Sequence, residues 1–209
     1  VSLDLGVLVS GSGTNLQAIL DAVADGRLDA NIRLVLSNKA DAYALERAKQ
    51  SGVPTRVLGH RDFPSREAFD AELVRALRDA GASLVVLAGF MRLLTPTFLR
   101  AFPGRIVNIH PALLPAFPGV HAQEQALRYG VKVTGCTVHF VDEGVDTGPI
   151  IAQRSVPVAD DDDLASLTAR ILEQEHELLV EVLRGIADGR VDLVEGGAGS
   201  RARVRTRKA

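Results

Sequence analysis

Five short apolar runs, Leu3–Val9, Ile32–Leu36, Thr55–Leu58, Leu84–Leu87 and Ile106–Ile109, constrain this chain more than any other feature. Several are apolar without alternation, so neither face of such a strand is suited to water. Strands of that kind belong to parallel sheets covered by helices on both sides. Between them, Asn15–Ala24, Ala42–Ser51 and Arg66–Ala80 have helical spacing. In the third, Phe69, Leu73, Ala76 and Leu77 form one stripe opposite Arg75, Arg78 and Asp79. The rhythm predicts an α/β fold with an open, doubly wound, mostly parallel sheet. Val131–Phe140 and Pro149–Val158 follow with no room for a helix between them, which predicts an antiparallel C-terminal addition. A long helix from about Leu164 to Ile186 closes the domain. No internal repeat or linker interrupts residues 1–195, which read as one domain, and 196–209 read as a basic, flexible tail.

The 209 residues are 46% hydrophobic, enough for one sizeable core. A formal net charge of −2 argues against a dedicated nucleic-acid binder. Arg201, Arg203, Arg205, Arg207 and Lys208 make the end of the chain basic, but no aromatic side chain is interleaved there to stack on a base. Cys136 is the only cysteine, so neither an intramolecular disulfide nor a thiolate zinc cluster is possible; its neighbours place it as a small buried side chain on a strand. The first nine residues lack the pattern of a secretion signal, and no apolar stretch approaches the ~20 residues that span a bilayer. These features point to a cytoplasmic protein without membrane or nucleic-acid partners.

Two motifs stand at the ends of strands. Ser10-Gly11-Ser12-Gly13-Thr14-Asn15 joins the first strand to the first helix. Its glycines allow a sharp turn with backbone N–H groups facing a common space, and the helix start favours an anion. The Gly-Lys-Ser/Thr ending of a nucleotide P-loop is missing. A dinucleotide fingerprint needs glycine where Leu16 stands and an acid where the chain has Ser37-Asn38-Lys39. A phosphomonoester is the better guest, and a capped tight turn without a ligand is the plain alternative. The second motif is Asn108-Ile109-His110-Pro111. Residues two apart on a strand share a face, so Asn108 and His110 project together at the carboxyl end, where open α/β sheets bind ligands. A carboxamide can stabilise an oxyanion, and an imidazole can do so and also handle a proton. Taken alone, an Asn-x-His is more often a hydrogen-bonded strand end.

The loop Val141-Asp142-Glu143-Gly144-Val145-Asp146-Thr147-Gly148-Pro149 connects the two antiparallel strands. Asp146, brought to His110, would orient the imidazole and favour its charged form; a solvated acidic turn is the alternative. His60, His110, His121, His139 and His176 have no ligand spacing, so no metal is expected. A serine hydrolase is disfavoured because no Gly-x-Ser-x-Gly elbow is present.

Together these motifs resemble the phosphoribosylglycinamide formyltransferase family of purine synthesis. The likeness runs through Ser10–Leu20, Ser37–Ala48, Leu87–Leu94, Asn108–Pro115 and His139–Pro149 to Gln174-Glu175-His176. It implies a formyltransferase-like fold and a catalytic trio of Asn108, His110 and Asp146. It implies 10-formyltetrahydrofolate as cosubstrate and the amine of glycinamide ribonucleotide as acceptor. The acceptor's phosphate would be held by Gly11, Ser12, Gly13, Thr14 and Asn15, and Glu175 would reach the acceptor. Met91, Arg92, Leu93, Leu94, Asn108, Val141, Asp142, Glu143, Gly144 and Val145 would border the folate, with Arg66 near its glutamate carboxylates. Leu172 departs from relatives with a polar residue there, which removes one acceptor contact. The implied partners are small molecules, and the chain is a monomer or homodimer. Two alternatives stand beside this: a formyltetrahydrofolate deformylase, which passes formyl to water, and a non-catalytic phosphometabolite-binding module. A tRNA-directed formyltransferase would need a further folded domain after the catalytic one.

Overall fold

The computed structural model describes residues 2–194 and 202–207. Strand order in the main seven-stranded sheet is β3-β2-β1-β4-β5-β6-β7, and β8 and β9 form a separate pair. The chain divides into two compact units, Val1–Asn108 and Ile109–Ala209, so the division falls inside β5 (Ile106–His110).

The first unit is a parallel α/β arrangement. It contains β1 (Leu3–Val9), α1 (Thr14–Ala24), β2 (Ala30–Ser37), α2 (Tyr43–Gln50), β3 (Thr55–Val57), α3 (Arg66–Asp79), β4 (Leu84–Leu87) and α4 (Pro96–Ala101). β1 pairs in parallel with β2 and β4, and β2 with β3. Leu5, Val7, Leu8 and Val9 are all fully buried, which explains why β1 shows no polar alternation. Gly6 is where α3 comes closest: a β-carbon there would lie 2.3 Å from Leu77 Cδ2. The expected stripe of α3 is buried, with Phe69, Leu73, Ala76 and Leu77 against the sheet, and Ser65 caps the helix by accepting the Ala68 N–H at 3.1 Å. The short α4 has no counterpart among the expected elements. Pro96 starts it, and with Phe98 as its one buried residue it carries no readable period.

The second unit holds α5 (Ala122–Tyr129), β6 (Val133–Phe140), β7 (Ile150–Pro157), α6 (Leu164–Ala187), β8 (Val191–Val194) and β9 (Arg203–Thr206). β6 and β7 form the expected antiparallel pair. A reciprocal cap opens α6: Asp163 Oδ1 accepts the Ser166 N–H at 2.7 Å, and Ser166 Oγ accepts the Asp163 N–H at 3.0 Å. Leu167, Ile171, Leu178, Leu179 and Leu183 form its buried stripe, each worth roughly 1.5–3 kcal/mol when fully removed from water. Cys136 is buried on β6 as expected, and burial, with the Glu175 charge, pushes its thiol up to about 12. The tail expectation needs correcting in part. Arg203–Thr206 pairs with Val191–Val194, with Val204 half-buried opposite Leu193 while Arg203 and Arg205 stay exposed. Alternation of cationic and apolar residues suits a strand with one wet face. Arg201 and Lys208, also assigned to the tail, lie outside the described residues.

Candidate functional site

In the first unit, the Gly-rich turn leaves β1 and enters α1 through Gly13, which adopts φ 73°, ψ 30° and provides no side-chain cap. Glycine is required there twice over: the conformation is left-handed, and a β-carbon would come within 2.5 Å of the Ala44 Cβ. The first turn of α1 carries no acid, so its positive end is uncompensated within the helix. α2 holds the turn from outside. The Gly11 carbonyl accepts the Ala44 N–H at 3.1 Å, and the Ser12 carbonyl accepts Arg47 Nε at 2.8 Å. Arg47 also donates to Gln17 and lies over the Tyr43 ring. The turn is thus a preformed backbone cradle whose shape is fixed by glycine and by α2.

Also in the first unit, the segment after β4 presents apolar side chains to solvent. Met91 is 63% and Leu93 58% exposed, so neither belongs to the core. Arg92 and Leu94 are half-buried. The backbone of the segment is pinned at three points: Met91 N–H donates to Ser10 Oγ at 2.9 Å, the Leu93 carbonyl accepts Arg66 Nη2 at 3.0 Å, and Thr95 N–H donates to Asp70 Oδ2 at 2.6 Å. Arg66, expected near folate carboxylates, directs at least this one nitrogen to the segment itself. Asp70 is buried, and burial raises its carboxyl above the usual range despite the Thr95 N–H and the Arg66 charge.

In the second unit, His110 and Asp146 meet. His110, 4% exposed, sits at the end of β5, with Nδ1 3.4 Å from Asp146 Oδ2. Its Nε2 lies 2.8 Å from the Phe117 carbonyl oxygen, which can only accept, so Nε2 carries hydrogen. His139, buried on β6, donates from Nδ1 to its neighbour Phe140's carbonyl at 2.9 Å and turns Nε2 to Asp146 Oδ1 at 3.6 Å. One carboxylate therefore stands between two imidazoles. Gly119 N–H donates to Asp146 Oδ2 at 2.7 Å. The segment 117–119 thus touches both His110 and Asp146.

Electrostatics divide the pair. For His110 burial is the largest influence and lowers its pKa; the Asp146 charge and the Phe117 bond oppose it without prevailing. Asp146 favours the charged form, but burial outweighs it, so the resting imidazole is neutral at pH 7. For Asp146 burial acts upward, but the His139 bond, the Gly119 N–H and the two imidazoles outweigh it, holding the carboxyl below its ordinary value. Asp146 is a carboxylate at neutral pH. Its backbone sits at φ 52°, a region aspartate tolerates better than most residues at a cost of about 1–3 kcal/mol.

The remaining expected residues are placed as follows. Asn108 is half-buried on β5, two residues before His110 and opposite Leu87 on β4, so the pleat gives it the face that His110 uses. Asp142 Oδ1 braces its own loop by accepting the Gly144 N–H at 3.1 Å and the Thr147 hydroxyl at 2.6 Å. Val141 is half-buried, whereas Asp142, Glu143, Gly144 and Val145 are exposed. Glu175 is only 4% exposed and lies in the apolar stripe of α6, unlike a solvated helix acid. Sequence reasoning named Ser10 and His139 without giving either a role of its own, and it missed Arg47, Asp70 and the Phe117–Gly119 backbone. Asp70 did leave a signal: it lies three and seven residues before Leu73 and Leu77, within the buried stripe.

The formyl transferase family model matches residues 4–183. The chain is 46% identical over 196 residues to phosphoribosylglycinamide formyltransferase of Escherichia coli strain K12, covering 94% of this chain and 92% of that protein. It is 53% identical over 185 residues to the trifunctional purine biosynthetic protein adenosine-3 of Drosophila melanogaster, covering 88% of this chain; it spans only 14% of that relative's length. Among solved structures, glycinamide ribonucleotide transformylase 1 from Symbiobacterium toebii superposes with a TM-score of 0.94 at 52% identity, covering 99% of this chain and 95% of that one.

Proposed function

Because the chain belongs to the formyl transferase family, we propose that it moves the formyl group of 10-formyltetrahydrofolate to the amine of glycinamide ribonucleotide, giving formylglycinamide ribonucleotide and tetrahydrofolate. The observation that carries this reading is the pair formed by buried His110 and half-buried Asp146, 3.4 Å apart, with Asn108 two residues upstream of His110 on the same strand. Amine attack on a formyl carbon places negative charge on its oxygen and leaves a surplus proton on nitrogen. Asn108 and the Nε2–H of His110 are the donors for that oxygen. Reaching it requires His110 to exchange the Phe117 carbonyl for the oxyanion. As charge develops, the imidazole gains proton affinity and takes up the surplus proton of the attacking amine, and Asp146 stabilises the resulting cation through Nδ1. The proton lost by the acceptor amine then goes to the departing folate nitrogen. The Gly11–Asn15 cradle suits the acceptor's phosphate, since its backbone N–H groups and the start of α1 favour an anion. Exposed Met91 and Leu93 offer apolar surface for the pterin, with Arg66 as a cation for the donor's carboxylates.

A deformylase would use the same His110–Asp146 chemistry with water as acceptor, and it gives the phosphate cradle no task. Formyl loss from 10-formyltetrahydrofolate, measured with and without glycinamide ribonucleotide, tests the proposal. Loss that depends on the acceptor is expected; equal loss without it refutes the transferase reading.

A further inference from the structure

Ser10 lies between the last residue of β1 and the first glycine of the cradle, and it is 4% exposed. Its hydroxyl donates to Asn38 Oδ1 at 2.6 Å and accepts the Met91 N–H at 2.9 Å. A serine hydroxyl has one hydrogen, so the donor role is fully used by Asn38. Asn38 follows β2 and is 6% exposed, so water is a poor substitute for the hydroxyl at its carboxamide oxygen. β2, β1 and β4 are parallel neighbours, and their shared ladder stops near Val9–Ser37 and Leu8–Leu87. One side-chain oxygen therefore continues the link between the three strand exits after the backbone bonds have ended.

We infer that Ser10 is a positioning residue that sets the acceptor-phosphate cradle and the donor-binding segment in fixed register through this one hydroxyl. The inference rests on the formyl-transfer reading, which assigns Gly11–Asn15 to the acceptor and Met91–Leu94 to the donor. Gly11 follows Ser10 directly, so a shift of Ser10 moves the first cradle amide. Met91 opens the donor segment, so the same shift moves its backbone. Removing the oxygen leaves the Met91 N–H and the buried Asn38 carboxamide oxygen without this partner, and the two loops then relax independently.

The test is steady-state kinetics on the full chain with Ser10→Ala, Ser10→Thr and Asn38→Ala. Ser10→Ala is expected to raise KM for both substrates by about three- to tenfold, the range of one lost hydrogen bond. Ser10→Thr keeps the hydroxyl and is expected to hold both constants within about twofold of wild type, which a general packing defect would not do. If Ser10→Ala does not fold, Asn38→Ala carries the same expectation, because it removes the partner that orients the hydroxyl. A change in only one KM, in neither, or equal changes in the Ala and Thr variants overturns the inference. A wild-type enzyme with no acceptor-dependent transfer removes the functional reading and the inference with it. Normal wild-type transfer with unchanged KM values in Ser10→Ala and Asn38→Ala defeats the inference alone.

Discussion

Replacing Asp146 by Asn removes one charge while leaving the backbone undisturbed, because Asn tolerates the left-handed φ of 52° as Asp does. The amide oxygen can still accept the Gly119 N–H that Asp146 accepts at 2.7 Å. What disappears is the stabilisation of a charged His110. For unit charges separated by the observed 3.4 Å, an effective dielectric of about 20 gives roughly 5 kcal/mol, an upper limit for this geometry. Only the part expressed in the transition state affects turnover, and positioned acid–base groups contribute typically about 10²–10⁴-fold. Asp146→Asn is therefore expected to lower kcat by about a hundred- to a few thousand-fold, with acceptor KM changed less than about threefold. Single-turnover formyl transfer, with calorimetric binding of the acceptor and a thermal melt, measures each quantity. Undiminished kcat refutes the reasoning. So does a fall in kcat matched by an equal loss of acceptor binding, which would make Asp146 a binding residue.

Further consequences follow from the same geometry. The His110 ring, followed by nitrogen-detected NMR, is expected to titrate below 6.5 because burial dominates, and lower still in Asp146→Asn; a midpoint at or above 6.5 contradicts this. With its folded pKa depressed, His110 contributes stability that is complete above about pH 6.5 and is lost as pH falls through the folded pKa. Gly13→Ala adds a left-handed alanine and a contact at 2.5 Å, and is expected to destabilise by about 2–4 kcal/mol with a raised acceptor KM; an unchanged denaturation midpoint contradicts it. Asp70 has a raised folded pKa, so its contribution to stability is complete below 3.8 and falls as pH rises through the folded value. Asp70→Asn keeps an acceptor for the Thr95 N–H and is expected to flatten that decline; melts from pH 3 to 7 that remain parallel to wild type rule this out.

The elements most legible in the sequence were those whose pattern has a single physical cause. β1 and β4 are buried on both faces, and apolar runs record that directly. The stripe of α3 is long enough for its period to be read. α5 was not legible: its buried positions are only Ala122 and Ala126, and small side chains give little contrast. β9 was hidden by its charge, since a run of arginines reads as solvated until a partner strand such as β8 is known. At the site, strand periodicity placed Asn108 and His110 together, while the loop reading left Asp146 either as a partner of His110 or as a solvated acid, and the family resemblance chose between them. His139 escaped because a lone histidine in a strand carries no mark of the carboxylate it faces across a fold. The Phe117 carbonyl escaped for a stronger reason: a backbone acceptor has no sequence signature at all. The charge state of His110 was not legible because sequence records the nearby acid and not the depth of burial that outweighs it.

The central claim is that His110 and Asp146 serve direct passage of a one-carbon group to an anchored amine. The most direct measurement supplies donor labelled with carbon-13 at the formyl carbon and follows the label by NMR in the presence of glycinamide ribonucleotide. The account predicts that the label appears as a formamide on the acceptor nitrogen, and that His110→Ala abolishes this signal. Label recovered as free formate, or undiminished formamide from His110→Ala, would contradict it.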